Sequence, residues 1–411
     1  MRILMLTPYL PYPLLSGGQI RTYNLLKKLA KKHEITLFAL IKNNQERKYI
    51  PEIQKYCKKV RVFKRSEVPF TLKNILKTGF SSYPFLVIRN YVPEAVAAIT
   101  KELLPAEANN QKYDLIHAET FYMMPHLPET NVPTILVEQT IEYLGYESYA
   151  KKAPRLLKFL LNIDIKKIKV WEKHYWHQCD KLIVMSEEDK EFITKIIKDK
   201  QKIEVVSNGV DTKWFEAKKR KHPQNPTILS VGTFKWLPNV EAVTFLVEKI
   251  WPKIKQSIPE AKLWIVGNAP TPKIYSYQDT DPSIEVTGNI PDIRDAFKQS
   301  HVLIAPVFSG KGTRYKILEA MASGTPVVGT STAVEGLGVK NQQDVLVSNT
   351  ATGLADLSVK ILKDEKLWEK LAKNGKEFVS KKFDWELISK KLDSVYQKLG
   401  TKNTIVKSNE K

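Results

Sequence analysis

Short apolar runs that end in glycine- or proline-bearing turns recur along the chain, and an amphipathic segment follows most of them. Residues 3–6, 227–231 and 302–305 are the clearest of these runs. Runs of this length between turn residues predict buried strands, and apolar residues spaced three or four apart predict the helices between them. Strands that alternate with helices form parallel sheets, so the pattern predicts an α/β fold.

The pattern divides the chain into two halves of similar plan. In the first half it predicts strands at 3–6, 33–40, 114–119, 134–137, 179–185 and 203–206, with a helix at 19–31. In the second half it predicts strands at 227–231, 262–266, 284–287, 302–306 and 326–328, with helices at 240–250, 352–363, 366–379 and 385–399. The lysine- and proline-rich segment 213–226 is the clearest break. We therefore expect a first domain at 1–212, a linker at 213–226, a second domain at 227–384 and a disordered polar tail at 401–411.

The segment 302–328 carries the chemistry around which the second half is organised. It predicts a strand, a loop, a helix that opens near Thr313, a stop at Gly324 and a second strand. Open α/β sheets bind ligands at the carboxyl ends of their strands, and the free N–H groups of a helix N-terminus attract phosphate. Arg314 and Lys316 add cations for a diphosphate, and Glu319 adds a carboxylate for a pair of ribose hydroxyls. The combination predicts a nucleotide site.

Residues 310–328 resemble the donor-binding signature of the retaining GT-B glycosyltransferases of family 4. The match is Glu-Ala-Met-Ala-x-Gly-x-Pro-Val-Val from Glu319 to Val328, preceded by the subgroup pattern Gly-x-Gly-Thr-Arg-x-Lys-x-Leu. One position departs from the commoner signature, because Lys311 stands eight residues before Glu319, where the family has a glutamate that touches the transferred sugar. The resemblance implies a GT-B fold of two Rossmann-like domains that face each other across a cleft. It also implies that the last helix, at about 385–399, returns to pack on the first domain.

The resemblance assigns roles to individual residues. In the second domain it places Gly232, Lys235, Gly312, Thr313, Arg314 and Lys316 at the phosphates, Glu319 at the ribose and the backbone near Ile290 at the base. In the first domain it places Gly17 and Gly18 near the donor diphosphate, His117 near the transferred sugar, and Glu138 and Glu142 on the acceptor side. Arg314, Lys316 and His117 are the expected catalytic residues. The residues alone leave two assignments open, since a glycine pair also fits a simple tight turn and a lone histidine is more often structural.

The composition fits two globular domains without a membrane span. The chain has 411 residues, of which 43% are hydrophobic, and no apolar run approaches the roughly 18 residues that cross a bilayer. The apolar segment at residues 1–6 is too short for a signal peptide. Cys57 and Cys179 have neither disulfide nor zinc spacing, and His174 with His177 lacks a third ligand. We therefore expect a reducing, cytoplasmic location and no metal.

The net charge of +21 favours anionic partners, namely nucleotides, nucleic acid or acidic lipid headgroups. Two stretches, at 68–91 and 151–173, mix lysines with large apolar residues at helical spacing. Each fits a helix on an anionic membrane surface, and each also fits a helix that packs on the protein with solvated lysines. A nucleic-acid-binding protein would need a recognition helix or an aromatic platform, and neither is visible, so nucleic acid is not an expected partner.

The resemblance, together with these observations, implies a metal-independent retaining glycosyltransferase without a cofactor. Its expected donor is a nucleotide-diphosphate-sugar, and its expected acceptor is a hydroxyl of a glycan or of a lipid-linked molecule. A peripheral position on the inner face of the cell membrane would follow from the basic stretches. Two other GT-B enzymes are alternatives, a nucleotide-sugar epimerase and a phosphorylase. The epimerases lack the Glu-Ala-Met-Ala context, and the lysine-anchored cofactor site of the phosphorylases is not visible here.

Overall fold

The computed structural model describes residues 1–104, 112–151, 153–221, 223–309 and 314–409. The chain forms two compact units, one made of Met1–Ser207 together with the chain from Ile388, and the other of Asn208–Leu387. Each unit is built on one parallel sheet.

The strands of the first unit are β1 (Arg2–Thr7), β2 (Glu34–Ile41), β3 (Lys59–Lys64), β4 (Leu115–Glu119), β5 (Thr134–Glu138), β6 (Lys181–Val184) and β7 (Ile203–Val205). Its helices are α1 (Gly17–Leu29), α2 (Ile50–Gln54), α3 (Leu72–Phe80), α4 (Phe85–Asn90), α5 (Pro93–Leu103), α6 (Glu142–Lys151), α7 (Arg155–Gln178) and α8 (Glu187–Ile197). Two 3-10 segments, Asn44–Tyr49 and Phe121–His126, follow β2 and β4.

The strands of the second unit are β8 (Thr227–Val231), β9 (Lys262–Val266), β10 (Ile284–Thr287), β11 (Val302–Ala305), β12 (Val327–Gly329) and β13 (Leu346–Val347). Its helices are α9 (Thr212–Ala217), α10 (Leu237–Phe245), α11 (Trp251–Ser257), α12 (Pro272–Thr280), α13 (Ile293–Lys298), α14 (Tyr315–Ala322), α15 (Ser331–Val334), α16 (Ala351–Lys363) and α17 (Glu365–Lys382), with a π-helical turn at Leu246–Ile250. The last helix, α18 (Trp385–Asn409), ends the described chain.

Both sheets have the doubly wound strand order. The first runs β3-β2-β1-β4-β5-β6-β7 and the second runs β10-β9-β8-β11-β12-β13, and every pairing is parallel. In each sheet the order reverses beside the first strand, between β1 and β4 and between β8 and β11. Ligands of such sheets bind at the carboxyl ends of the strands at this reversal. The predicted α/β class is therefore confirmed.

Burial of the apolar runs explains why these segments are central strands. Ile3, Leu4 and Leu6 of β1 are fully buried, as are Ile228 and Leu229 of β8, at 0% exposure. Near-continuous apolar runs are what a parallel sheet covered on both faces requires. The sheets therefore form the centre of each hydrophobic core.

A glycine fixes the close approach of two strand ends in the second unit. Gly267, directly after β9, has a φ of +153°, and a Cβ placed on it would lie 1.7 Å from the carbonyl oxygen of Gly232, directly after β8. No side chain fits between these two turns, so the backbone itself lines the carboxyl edge of the sheet at this point.

The segment 213–226 belongs to the second unit and does not act as a linker. The unit boundary lies at Asn208, because the segment is held by side-chain contacts that composition does not indicate. Arg220 donates hydrogen bonds to the carbonyl oxygens of Ser300, at 2.8 Å, and Gly324, at 2.9 Å. A partly buried guanidinium that donates to several carbonyl groups anchors this segment.

The last helix joins the first unit through two histidines. Asp393 Oδ1 lies 2.9 Å from His33 Nε2, and the Tyr396 hydroxyl lies 2.6 Å from His117 Nδ1. The helix also continues through residues 401–409, where the sequence predicted disorder. Proline does not occur in this stretch, so nothing in its sequence forces the helix to stop.

The two basic stretches form helices with exposed apolar side chains. The stretch 68–91 folds as α3 and α4, and α3 leaves Leu72 and Phe80 exposed at 72% and 91%. The stretch 151–173 forms most of α7, which exposes Phe159 at 66% but buries Trp176 near its end. Packing of the α3 apolar face into the core, one of the two alternatives from sequence, is therefore not observed.

Candidate functional site

The carboxyl edge of the second sheet carries most of the predicted donor residues. The turn that begins at Gly232 leads from β8 into α10, and α14 begins after β11 with Arg314 as its N-cap. Gly312 and Thr313, with Lys311, lie outside the described residues. The sequence assignments at Gly232, Arg314, Lys316 and Glu319 thus fall on one edge of one sheet, next to the reversal between β8 and β11.

A hydrogen-bonded asparagine joins the two elements of this edge. Lys316 Nζ donates to Asn239 Oδ1 at 3.0 Å, and Asn239 Nδ2 donates to the carbonyl oxygen of Thr233 at 2.9 Å. A Cβ placed on Gly232 would lie 3.1 Å from Cγ of the same asparagine. Asn239 therefore holds the first turn of α14 against the glycine turn after β8. No sequence motif indicated this role, because the asparagine and its lysine partner are 77 residues apart.

Three ionisable side chains in this region lie largely away from water. Burial and the neighbouring charge of Arg314 lower the pKa of Lys316 to about 8. Burial raises the pKa of the Glu319 carboxyl to about 7, opposed by the charge of Lys316. Burial also lowers the pKa of the Arg314 guanidinium. Displaced pKa values of opposite direction in one crevice are typical of a binding or catalytic site.

Glu319 is the acidic side chain of this region. Within the described residues, neither of its side-chain oxygens accepts a hydrogen bond, although the residue is partly buried in α14. Arg314 points toward the start of the neighbouring loop, with its guanidinium 3.4 Å from the carbonyl oxygen of Ser309. The Ser309 hydroxyl in turn donates to Glu241 at 3.1 Å. The site thus combines two cations with a carboxylate that can accept hydroxyl groups.

The other two predicted donor residues of this unit lie on the same sheet edge. Lys235 is exposed in the turn after β8, and the described residues give it no hydrogen bond or ion pair. Ile290 follows β10 and is partly buried against the core of the unit. Their positions follow from the parallel strand order, and in the described chain no hydrogen bond or ion pair joins either side chain to Lys316 or Glu319.

In the first unit, Gly17 and Gly18 form the first turn of α1. The Ser16 hydroxyl caps this helix by accepting a hydrogen bond from the backbone N–H of Gln19. A Cβ placed on Gly18 would lie 2.6 Å from the Tyr9 hydroxyl and 2.7 Å from Gln139 Oε1. The glycine therefore does more than permit a tight turn, because a Cβ here would displace one of two polar side chains that lie against the helix N-terminus.

His117 is enclosed in a buried hydrogen-bond network. It is 1% exposed, and its Nε2 lies 3.1 Å from Glu119 Oε1 while its Nδ1 faces the Tyr396 hydroxyl. Gln139 Nε2 donates to the other Glu119 oxygen at 2.7 Å. Burial alone would raise the pKa of Glu119, but the hydrogen bond and charge of His117 hold it below its usual value. Both ring nitrogens are engaged, which favours a structural role for this histidine.

The two glutamates predicted on the acceptor side have different environments. Glu138 is 2% exposed, accepts a hydrogen bond from Trp176 Nε1 at 3.1 Å, and has a pKa raised by burial and by the charge of Glu172. Glu142 starts α6, and burial raises its pKa to about 7. Glu172 caps the same helix by accepting the N–H of Glu142 at 2.7 Å. Glu138 is therefore a core residue, whereas Glu142 lies at the carboxyl edge of the first sheet.

Two general features of the chain bear on the sequence predictions. Across the described ranges, no group of three or more His, Cys, Asp and Glu side chains is arranged to hold a metal ion. In the same part of the chain, none of the helices has the length and apolarity needed to span a membrane.

Two family models match the chain, one in each half. The model described as Glycosyltransferase Family 4 matches residues 15–214, and the model described as Glycosyl transferases group 1 matches residues 225–364. Together they cover most of the chain.

One curated relative acts on a lipid-linked sugar. The chain is 24% identical over 311 residues to the UDP-Gal:α-D-GlcNAc-diphosphoundecaprenol α-1,3-galactosyltransferase of Escherichia coli, which covers 69% of this chain and 74% of that protein.

Two solved structures have the same GT-B architecture over nearly the full chain. Sucrose-phosphate synthase from Thermosynechococcus elongatus aligns with a TM-score of 0.72 and 19% identity, over 97% of this chain and 99% of that chain. The Anabaena protein HepE in complex with UDP and glucose aligns with a TM-score of 0.65 and 14% identity, over 97% and 100%. At these identities the likeness shows the fold.

Proposed function

Because the chain belongs to the group 1 and family 4 glycosyltransferases, we propose that it transfers a sugar from a nucleotide-diphosphate-sugar to an acceptor hydroxyl with retention of configuration. The observation that carries the proposal is the Lys316–Asn239 hydrogen bond, which fixes the cationic first turn of α14 beside the glycine turn after β8. The UDP named with the HepE structure and in the Escherichia coli relative supports a nucleotide donor.

The second unit supplies the groups that a diphosphate leaving group needs. Arg314, Lys316 and the N-terminus of α14 stabilise the negative charge that grows on the diphosphate as the sugar bond breaks. Interactions that strengthen toward the transition state accelerate the reaction. Glu319 accepts the ribose hydroxyls, for which a carboxylate with two acceptor oxygens is suited.

Further donor contacts in this proposal come from neighbouring loops. Gly232, Gly312 and Thr313 offer backbone N–H groups to the phosphates, Lys235 adds a surface cation, and the backbone near Ile290 contacts the base. Glycine turns at strand ends permit such close approach of backbone to phosphate.

Retention and metal independence follow from the same arrangement of charge. The two cations take the place of a divalent ion at the diphosphate, and the departing phosphate oxygen accepts the proton of the acceptor hydroxyl on the same face of the sugar. Exclusion of water by closure over the substrates would protect the donor from hydrolysis.

The first unit is the acceptor side in this proposal. Gly17 and Gly18 present the α1 N-terminus to the donor diphosphate, and Glu142 faces the acceptor. His117 acts as a positioning residue that holds Glu119 and α18, and Glu138 stays in the core.

A peripheral contact with the cytoplasmic face of an anionic membrane is part of the proposal. The exposed apolar side chains of α3 and α7 lie among lysines, a combination that binds anionic bilayer surfaces. Co-sedimentation with phosphatidylcholine vesicles containing phosphatidylglycerol is expected to exceed that with phosphatidylcholine alone, and to fall in a Phe80→Ser variant. Equal recovery with both kinds of vesicle would argue against this contact.

A thermal-shift panel tests the donor proposal. UDP, GDP, ADP, CMP and TDP, alone and as sugar conjugates, are added to the wild type and to Glu319→Ala. A ligand at about 100 times its dissociation constant stabilises a protein by about 2.7 kcal/mol. We expect one diphosphate to raise the melting temperature of the wild type and to lose most of that effect in the variant. A panel without any shift would remove the nucleotide from the proposal.

A further inference from the structure

Two arginines of the first unit lie near the carboxyl edge of its sheet, close enough for the charge of Arg89 to act on Arg65. Arg65 directly follows β3, where its N–H donates to the carbonyl oxygen of Ile41 at the end of β2, at 2.9 Å. Arg89 lies in the last turn of α4. The donor site described above contains neither residue.

These two side chains, the arginine pair, form no ion pair in the described chain. The Nε atoms of both arginines are buried and lack a hydrogen-bond partner. The described residues also provide no other side-chain hydrogen bond to either guanidinium. Burial and the like charge of Arg89 lower the pKa of Arg65, and the charge of Glu46 offsets this only in part. Two adjacent, partly buried cations without an ion-pair partner destabilise a folded chain, so the arrangement needs a reason other than stability.

The groups around the arginine pair suit an anion with oxygen atoms. The charge of Arg89 lowers the pKa values of three neighbouring groups, Tyr122, Glu142 and Tyr146. Burial raises the same pKa values by more. The pKa of Glu142 is about 7, so this carboxyl is about half protonated at neutral pH and neutralises the pair only in part. Both tyrosines lie within reach of the charge of Arg89, and a tyrosine hydroxyl can donate a hydrogen bond to an anion.

A guanidinium fork matches the geometry of a phosphate group, and two forks together match a phosphate or diphosphate better than a single-charged surface lysine does. We propose that Arg65 and Arg89 bind a phosphate group of the acceptor substrate. This inference rests on the proposed function, in which the first unit receives the acceptor. The phosphate belongs either to a lipid-linked acceptor or to a free phosphorylated one, and the chemistry at the arginine pair is the same for both.

The first experiment measures the binding of inorganic pyrophosphate to the full-length protein by calorimetry. All variants are made in a Lys316→Met background, which weakens phosphate binding at the donor site. Arg65→Met and Arg89→Met are each expected to lower the affinity at least tenfold, and Arg89→Lys is expected to lie between these and the parent because it keeps the charge but loses the fork. Arg47→Met, an exposed arginine of the same unit, is the matched control and is expected to leave binding unchanged.

Stability serves as the check on folding. Removing one of two unpaired like charges is expected to leave the urea midpoint of the ligand-free protein unchanged or higher, so a loss of binding cannot be attributed to unfolding. Should a methionine variant fail to fold, Arg89→Lys alone still tests the proposal, because it is expected to weaken pyrophosphate binding while keeping the charge.

The second experiment distinguishes the two sources of the phosphate. Phosphatidylcholine vesicles containing phosphatidic acid are compared with glycerol 3-phosphate. Vesicle binding that depends on the arginine pair and exceeds glycerol 3-phosphate binding indicates a lipid-linked acceptor, and the reverse order indicates a free one. Unchanged pyrophosphate affinity in both methionine variants would overturn the proposal.

Failure of this inference is distinguishable from failure of the proposed function. The nucleotide panel is repeated on Arg65→Met and Arg89→Met with Lys316 restored. If nucleotide still raises the melting temperature but pyrophosphate affinity does not depend on the arginine pair, only the acceptor site is rejected. If pyrophosphate binding requires the arginine pair but no nucleotide stabilises the protein, the donor site is rejected and the anion site is supported.

Discussion

Replacing Lys316 with methionine should cost donor binding without costing stability. In the folded protein the pKa of this lysine falls from 10.5 to about 8. At about 1.4 kcal/mol per pKa unit, holding the charged form inside the site therefore costs about 3 kcal/mol at neutral pH. The variant avoids this cost but loses the hydrogen bond to Asn239, at 3.0 Å. That loss destabilises it by about 1.5–3 kcal/mol. We expect the free energy of unfolding of Lys316→Met at pH 7 to equal or exceed that of the wild type by up to about 2 kcal/mol.

The difference in unfolding free energy between the wild type and Lys316→Met should change with pH. Because the pKa of Lys316 is lower in the folded than in the unfolded chain, the unfolded chain binds more protons between pH 8 and 10.5. The stability of the wild type relative to Lys316→Met therefore rises with pH through that window, by about 2 kcal/mol between pH 7 and pH 9.5. Titrating groups that Lys316 does not influence cancel in the difference. Glu319, whose pKa the charge of Lys316 lowers, adds to the difference with the same sign, because without Lys316 its raised pKa destabilises the variant over more of this window.

Urea unfolding at pH 7 and pH 9.5 measures the effect, with Lys373→Met on an exposed face of α17 as the matched control. The control is expected to show no pH-dependent difference from the wild type. A Lys316→Met protein that loses more than about 2 kcal/mol at pH 7, or whose difference from the wild type is the same at both pH values, would refute the reasoning.

Three further changes have expected outcomes that follow from single contacts. Arg220→Met should lower the free energy of unfolding by about 3 kcal/mol, because several carbonyl oxygens lose a charged donor; an unchanged urea midpoint would show that Arg220 does not anchor the segment 213–226. Tyr396→Phe should cost about 1–2 kcal/mol and speed amide exchange in α18, since His117 loses its 2.6 Å partner; equal exchange rates would show that this bond does not hold the helix. Gly267→Ala should strongly lower the free energy of unfolding, since its Cβ would lie 1.7 Å from a backbone carbonyl oxygen. Gly79→Ala has open space around the new Cβ and should stabilise the protein by about 0.5–1 kcal/mol. Thermal unfolding measures both.

The hydrophobic pattern was sufficient to predict the sheets because burial of parallel strands leaves a direct trace in the sequence. The apolar runs at 3–6, 227–231 and 302–305 all lie in central strands, and the strand predicted at 179–185 is observed as β6. The boundary predicted from lysine and proline content differs from the observed one at Asn208. Composition indicates average exposure, and it cannot show that Arg220 is held by the carbonyl oxygens of Ser300 and Gly324.

The candidate site was predicted only as far as local motifs reach. The α14 residues are close in sequence, so their grouping follows from the strand–loop–helix pattern. Asn239 and the arginine pair were missed because their partners are distant in sequence and meet only through the strand order. Glu138 illustrates the converse, since a carboxylate at a strand exit looks accessible in sequence but is enclosed here by Trp176.

Peptide-resolved hydrogen exchange with and without the nucleoside diphosphate chosen by the thermal panel tests the donor site most directly. We expect slower amide exchange on nucleotide addition in the turn after Gly232 and in the first turn of α14, and no such protection in Lys316→Met at the same ligand concentration. A nucleotide that binds but leaves both segments unprotected would contradict the proposed donor site.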